Sequence, residues 1–193
     1  SLHDALPILL SANCTFIPFT FTLSHYQRIL TQAGYARNML NSAKVAFSST
    51  IISVILAILT AYSLSDFKYP LKKLADRSIL ATSMFPGVLL MIPIYVLMAK
   101  FGLLNNLWSL VLVYVTLYSP FCIFTLRAFF ESLSLSLREA AYIDGASRMQ
   151  VLFKVILPLV TPGLVTVASW TFILSWSEYL FGMLLINDPL KKT

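Results

Sequence analysis

Glu139, Asp144 and Gly145 stand in the stretch EAAYIDGASRMQVLFKVILP, residues 139–158, between two strongly apolar runs. Ser136-Leu137-Arg138-Glu139 reads as a capping box, in which the serine accepts a backbone hydrogen bond near Glu139 and the glutamate carboxylate reaches back. Ala140 and Ala141 are strong helix formers with small side chains. Asp144-Gly145 supplies a stop, since glycine takes the left-handed geometry that ends a helix. The spacing predicts a short helix, a sharp turn, and a second helix beginning near Val151. Small residues on one face let another backbone come close, so the pattern suits docking rather than catalysis. Each residue also has a plainer local reading. Glu139 could serve only the cap, Asp144 could cap the next helix, Ala140 and Ala141 could be ordinary interior residues, and Gly145 could be a generic terminator. Pro158 fits a plain kink as well as a hinge.

Little else in the chain has the makings of chemistry. His3 and His25 are the only histidines, and both precede the first clear apolar span. Cys14 and Cys122 form no CxxC pair, which argues against a metal or structural disulfide site. No G-x-x-x-x-G-K-[ST] phosphate loop is present. A membrane-embedded enzyme needs ionisable groups at membrane depth, and the apolar spans carry essentially none before Lys154. One further group stands out: Trp176, Glu178 and Tyr179, at the end of the last span. An aromatic beside a carboxylate can hold a sugar by stacking and hydroxyl hydrogen bonds, although an interfacial aromatic belt explains the rings more simply.

The elements that must position these residues are membrane helices. Hydrophobic residues make up 58% of the chain and charged ones only 11%, with a mean hydropathy of +0.80, where a soluble domain carries about a quarter charged residues. The excess apolar surface faces lipid or partner subunits. Spanning a hydrocarbon core of about 30 Å takes roughly 20 apolar residues, and four segments qualify: 45–64, 79–99, 107–126 and about 151–176. Without water the backbone must satisfy itself, so each is expected to be helical. Pro86, Pro93, Pro120, Pro158 and Pro162 lie within them. They fit either ordinary tolerance of proline or bends that shape a cavity.

Charge orients the spans. The loop DFKYPLKKLADR (66–77) holds Lys68, Lys72, Lys73 and Arg77, and the segment from Arg127 to Lys154 adds Arg138 and Arg148. The loop KFGLLNN (100–106) holds a single lysine. By the positive-inside rule the first and third connections, the docking turn among them, are cytoplasmic. The second connection, residues 11–42 and the tail INDPLKKT are then external. The net charge of +6 suits an anionic membrane surface and not a nucleic acid. No secretory signal is evident, and the opening SLHDALPILL could be foreign to the rest of the chain. The expected organisation is an external segment over 1–42 followed by a transmembrane domain over 43–193.

The motif itself resembles the EAA signature of ABC importer permeases: EAA, three residues, Gly, nine residues, an Ile-like residue, one more, then Leu-Pro. Glu139, Ala140, Ala141, Gly145, Leu157 and Pro158 fall on it, with Val155 at the Ile-like position, and DGAS (144–147) is a form common among carbohydrate permeases. NSAKVAFSSTIISVILAILTAYSLSDFKYP (41–70), MFPGVLLMIPIYVLMAKFGLLNN (84–106) and WSEYLFGMLLINDP (176–189) are similar to segments of the same family. The similarity covers Phe16 to the end and is nearest to the maltose-type second permease subunit. SLSLSL (132–137) departs from it, with Ser134 and Ser136 where the family favours Pro and an acid.

This resemblance implies an all-α membrane protein, the transmembrane domain of a type I ABC importer with a cytoplasmic coupling helix. About four helices would be present of the usual six, the first and last being absent. It implies a multi-pass protein of the bacterial inner membrane that is not an enzyme and binds no cofactor or metal itself, ATP and Mg lying on a partner. The partners implied are an ABC ATPase dimer, a second permease subunit, an extracytoplasmic solute-binding protein and lipid. Glu139, Ala140, Ala141, Asp144, Gly145 and Pro158 would couple to the ATPase, and Trp176, Glu178 and Tyr179 could line a sugar path. A permease for amino acids, peptides or ions, and an orphan membrane scaffold, are the alternatives. Labelling tests the orientation in the full-length protein with Cys14 and Cys122 replaced by serine. A cysteine at Ala140 should react only from the cytoplasm, and one at Asn106 only from outside.

Overall fold

Small side chains recur along one face of the first apolar run: Ala46, Ser49, Ser53, Ala57 and Ala61 are all buried. Steps of three and four residues put them in one stripe of a helix, where they let a neighbouring backbone come close. The computed structural model, which describes residues 34–67 and 69–193, forms this run into α1, Tyr35–Asp66. Residue 42, the expected boundary, lies within this helix. Expectations for residues 1–33, including His3, Cys14 and His25, lie outside the described residues.

Beyond α1 come α2 (Lys72–Ser83), α3 (Gly87–Lys100, its first turn 3-10), α4 (Leu107–Ser132) and α5 (Leu135–Ile143). Then follow α6 (Arg148–Leu159), α7 (Thr161–Ser177) and α8 (Leu180–Leu185). Among the described residues the structure is entirely helical. Two helices, α1 and α4, are unbroken and apolar enough to cross a membrane. At 1.5 Å per residue they are about 48 and 39 Å long, more than the roughly 30 Å required.

The other two expected spans are not continuous helices. α2 and α3 meet at 93°, and α6 and α7 at 79°, so four spans exist only if each bent pair counts as one. Proline accounts for both breaks. Pro86 lacks an N–H and disfavours helical geometry at Phe85 before it, so α2 ends at Ser83 and a 3-10 turn restarts at Gly87. Ser83 and Thr82 hydroxyls donate to the Ile79 carbonyl at 3.1 and 2.8 Å, covering the helix end. In the second pair, residues Val151–Ile156 are wound as a π-helix before Pro158, and the axis turns at Val160. The Thr161 hydroxyl donates to the Pro158 carbonyl at 2.8 Å, and Pro162 occupies the first turn of α7, where its missing N–H costs nothing. Pro120, in contrast, stays inside unbroken α4. The loop expected over 66–77 is helical from Lys72, because KKLADR consists mostly of good helix formers and Asp76 is held by Arg127 of α4.

α7 packs along α4 and touches α1 through a few side chains. Cys122 Sγ of α4 lies 3.0 Å from Thr171 Oγ1, and Ser49 Oγ of α1 donates to Ser175 Oγ at 3.0 Å. Interhelical bonds of this kind contribute about 0.6 kcal/mol each. Phe47–Phe172 and Phe121–Trp170 pair the rings beside them. One apolar cluster gathers Leu64, Leu126, Phe130, Leu152 and Ile156; another gathers Val45, Leu110, Tyr114, Phe181 and Leu185.

Polar contacts confirm the expected pairing of ends. Asp66, closing α1, meets Arg138 and Tyr142, so the first and third connections share one end of the bundle. At the other end Asn105, in the left-handed region at φ 57°, accepts from the Asn187 and Asp188 N–H groups at 2.7 and 3.0 Å. Asn41, near the start of α1, donates to the Leu190 and Lys192 carbonyls there.

At Gly163 α7 approaches α4 so closely that a Cβ would lie 2.6 Å from the Phe129 ring. Gly163→Ala should destabilise the helix pair by about 1–3 kcal/mol, and Phe129→Leu should recover part of that loss. Thermal unfolding of the full-length protein in detergent measures both.

Candidate functional site

The segment 133–150 forms an elbow outside the bundle. α5 starts at Leu135 with Ser134 as its N-cap, and its C-terminus is closed by a double turn of hydrogen bonds. The Ala146 N–H donates to the Ala141 carbonyl and the Gly145 N–H to the Tyr142 carbonyl, both at 3.0 Å, with Gly145 at φ +81°. This is the Schellman ending, and it needs a residue at ease in the left-handed region. The expected stop at Gly145 is therefore present. The expected capping box at Ser136–Glu139 is not: Ser136 Oγ instead donates to Ser134 Oγ at 3.2 Å, and the Ser134 side chain caps nothing. The box forms one motif later, where the Ser147 N–H donates to Gln150 Oε1 (2.7 Å) and Gln150 N–H to Ser147 Oγ (3.4 Å). A serine three residues before an acid is a local signal, and here the docking of α5 on the bundle places the helix start two residues too early for Ser136 to act.

Five of the six residues singled out in the motif lie on or beside this elbow. Glu139, Ala140, Asp144 and Gly145 are exposed. Ala141 is half-buried and packs on the inner apolar cluster, so its small side chain serves the fold as well as any docking surface. Glu139 makes no hydrogen bond or ion pair among the described residues. Pro158 sits apart, beyond the π-wound segment.

Arg138, a loop charge by sequence, is the elbow's anchor. Its side chain is 5% exposed, its Nη1 lies 3.5 Å from Asp66 Oδ1, and its Nη2 donates to the Phe130 carbonyl. One guanidinium thus ties α5 to the inner ends of both unbroken helices. Tyr142 strengthens the tie by donating to Asp66 Oδ2 at 3.1 Å, and Tyr62 donates to the Arg148 carbonyl at 3.1 Å. The Arg148 guanidinium in turn stacks 4.5 Å from the centre of the Phe67 ring. The available signal was an acid and a base, Asp66 and Arg138, at the same end of the membrane in an otherwise apolar sequence.

At the opposite end Glu178 is occupied within the chain. Its Oε2 accepts from the Tyr114 hydroxyl at 2.8 Å and from the Phe181 N–H at 3.0 Å, while Oε1 accepts from the Leu180 N–H at 2.9 Å. The carboxylate covers the start of α8 and fastens it to α4. Trp176 stacks on Phe172 at 5.8 Å and is 41% exposed; Tyr179 is 68% exposed.

The sequence from residue 49 to 193 matches the family model described as the binding-protein-dependent transport system inner membrane component. The chain belongs to that family. It is a multi-pass protein of the inner membrane. Among its relatives is the sulfoquinovosyl glycerol transport system permease protein of Agrobacterium fabrum, 34% identical over 93% of this chain and 63% of that protein. The trehalose transport system permease protein of Mycobacterium tuberculosis is 35% identical over 86% of this chain and 61% of its own length. The diacetylchitobiose uptake system permease protein of Streptomyces coelicolor is 35% identical over 89% and 57%. A crystal structure of a bacterial ABC transporter that imports the acidic polysaccharide alginate matches with a TM-score of 0.84 and 28% identity, covering 96% of this chain and 65% of that one. The chain therefore spans about three-fifths of the length of these relatives. Its fold is that of an ABC importer permease.

Gly145→Ala should cost the elbow about 1–2 kcal/mol, the penalty of a Cβ in left-handed geometry, and Gly145→Asn should cost less. Faster amide hydrogen exchange at 145 and 146, with exchange in α4 unchanged, is the expected reading.

Proposed function

We propose that this chain is a permease subunit of a binding-protein-dependent importer that brings a sugar or oligosaccharide into the cytoplasm, without chemistry of its own. ATP and Mg belong to a separate ATPase pair. A second permease subunit completes the pore, and an extracytoplasmic binding protein delivers the solute. The observation that carries this reading is the elbow: an exposed carboxylate, small residues and a left-handed glycine at the basic end of the bundle, which the positive-inside rule assigns to the cytoplasm. The carbohydrate part draws support from relatives named for sulfoquinovosyl glycerol transport, trehalose transport and diacetylchitobiose uptake, and from a solved transporter involved in alginate import.

In this mechanism the elbow rests in a groove of the ATPase, and closure of the ATPase pair displaces it. Nucleotide drives the cycle only in so far as it binds the two docked states unequally. Glu139 pairs with a basic residue of the ATPase, Ala140 and Ala141 allow close approach, Asp144 and Gly145 set the turn, and Pro158 serves as a hinge beside the π-wound stretch. At the outer end the rings of Trp176 and Tyr179 are the surfaces available for stacking on a sugar, whereas the Glu178 carboxylate is already engaged.

Copurification and uptake test the reading together. An ATP-binding subunit should accompany the full-length protein from membranes. Glu139→Lys should leave insertion intact and lower uptake of labelled carbohydrate by at least about tenfold. Normal uptake by that variant, or purification without any ATPase, would refute it.

A further inference from the structure

The elbow leaves the bundle and re-enters it through weak joints. Upstream, α4 and α5 are separated by the non-helical Leu133-Ser134; downstream, the path runs through a π-wound segment to a 79° bend. A direct connection from the elbow to the unbroken spans is made by side chains. Arg138 is buried, and its guanidinium reaches Asp66 at the end of α1 and the Phe130 carbonyl near the end of α4, the two unbroken spans. Tyr142, one helical turn further along α5, adds its hydroxyl to the same carboxylate. α5 is therefore clamped across both rods at the base of the exposed motif, with Glu139 next in sequence to the clamping residue.

We propose that Arg138 and Asp66 form a positioning latch that makes the elbow and the inner ends of α1 and α4 one moving body, so that displacement of the elbow becomes displacement of both spans. The inference rests on the transport reading proposed for this chain. Arg138 touches neither solute nor nucleotide; it acts by deciding what the elbow drags. A latch of this kind governs the ratio of solute moved to ATP hydrolysed. A pair needed only for folding governs the amount of complex recovered and leaves that ratio alone.

The test uses the full-length protein in its assembled complex, reconstituted in liposomes, reading recovered ATPase subunit, ATP hydrolysis and carbohydrate uptake. Asp66→Asn and Arg138→Lys keep the shape or the charge. Both should assemble to within about twofold of the parent while uptake per ATP falls about tenfold, a typical coupling between sites. Exchanging the pair, Asp66→Arg with Arg138→Asp, restores the link to α1 but not the bond to the Phe130 carbonyl, and should recover only part of the lost ratio, about threefold of the tenfold. An unchanged ratio in the assembled conservative variants would overturn the latch. So would loss of assembly in both conservative variants and in the exchanged pair, which would assign the contact to folding. A parent complex without ATP-driven uptake would instead defeat the transport reading itself.

Discussion

Lipid offers no hydrogen bonds, and the shape of this chain follows from how each interruption of a helix copes with that shortage. At several points where the backbone leaves α-helical geometry, a side chain stands beside the freed groups. Thr161 covers the carbonyls before the α6–α7 bend, Glu178 covers the start of α8, and Asn105 covers the 186–188 backbone. The Ser147–Gln150 box opens the helix that returns to the membrane. The unbroken helices need no such help, and they settle for small residues and a few hydroxyl contacts with α7. Rods and joints thus have different chemistry: apolar and small along the rods, polar and individually placed at the joints.

The elbow is the joint with the most at stake, because it is exposed on one side and fixed on the other. Burying a charge is costly unless it is paired, and breaking such a pair costs about 3–5 kcal/mol. Arg138 meets that condition through Asp66 and a main-chain carbonyl at its two Nη atoms, while its Nε is buried without a partner. Exposure of Glu139, its neighbour in sequence, follows from helix geometry, since consecutive residues point about 100° apart. One inward cation and one outward anion are therefore consequences of a single helical turn.

Much of this was legible in the sequence where a residue's chemistry admits one solution. Gly145 had to end a helix, the basic loops had to share a side, and the apolar runs had to be helices. The features that stayed hidden depended on partners far along the chain. Proline alone did not reveal where a span breaks: Pro120 lies in a continuous helix while Pro86 and Pro158 border sharp bends, and the difference lies in their surroundings. The capping serine was misplaced because Ser134 and Ser136 both stand at the start of α5 and only packing selects between them. Arg138–Asp66, Tyr114–Glu178 and Asn41 with the tail each join residues more than sixty positions apart, a distance over which periodicity carries no signal.

The engagement of Glu178 has a mechanical consequence. Its two oxygens already receive a phenol and several main-chain amides, so one carboxylate holds the short α8 to the long α4. The rings of Trp176 and Tyr179 take no part in that anchorage. Exchanging either ring leaves the fastening intact, whereas exchanging the acid unpins the whole of α8.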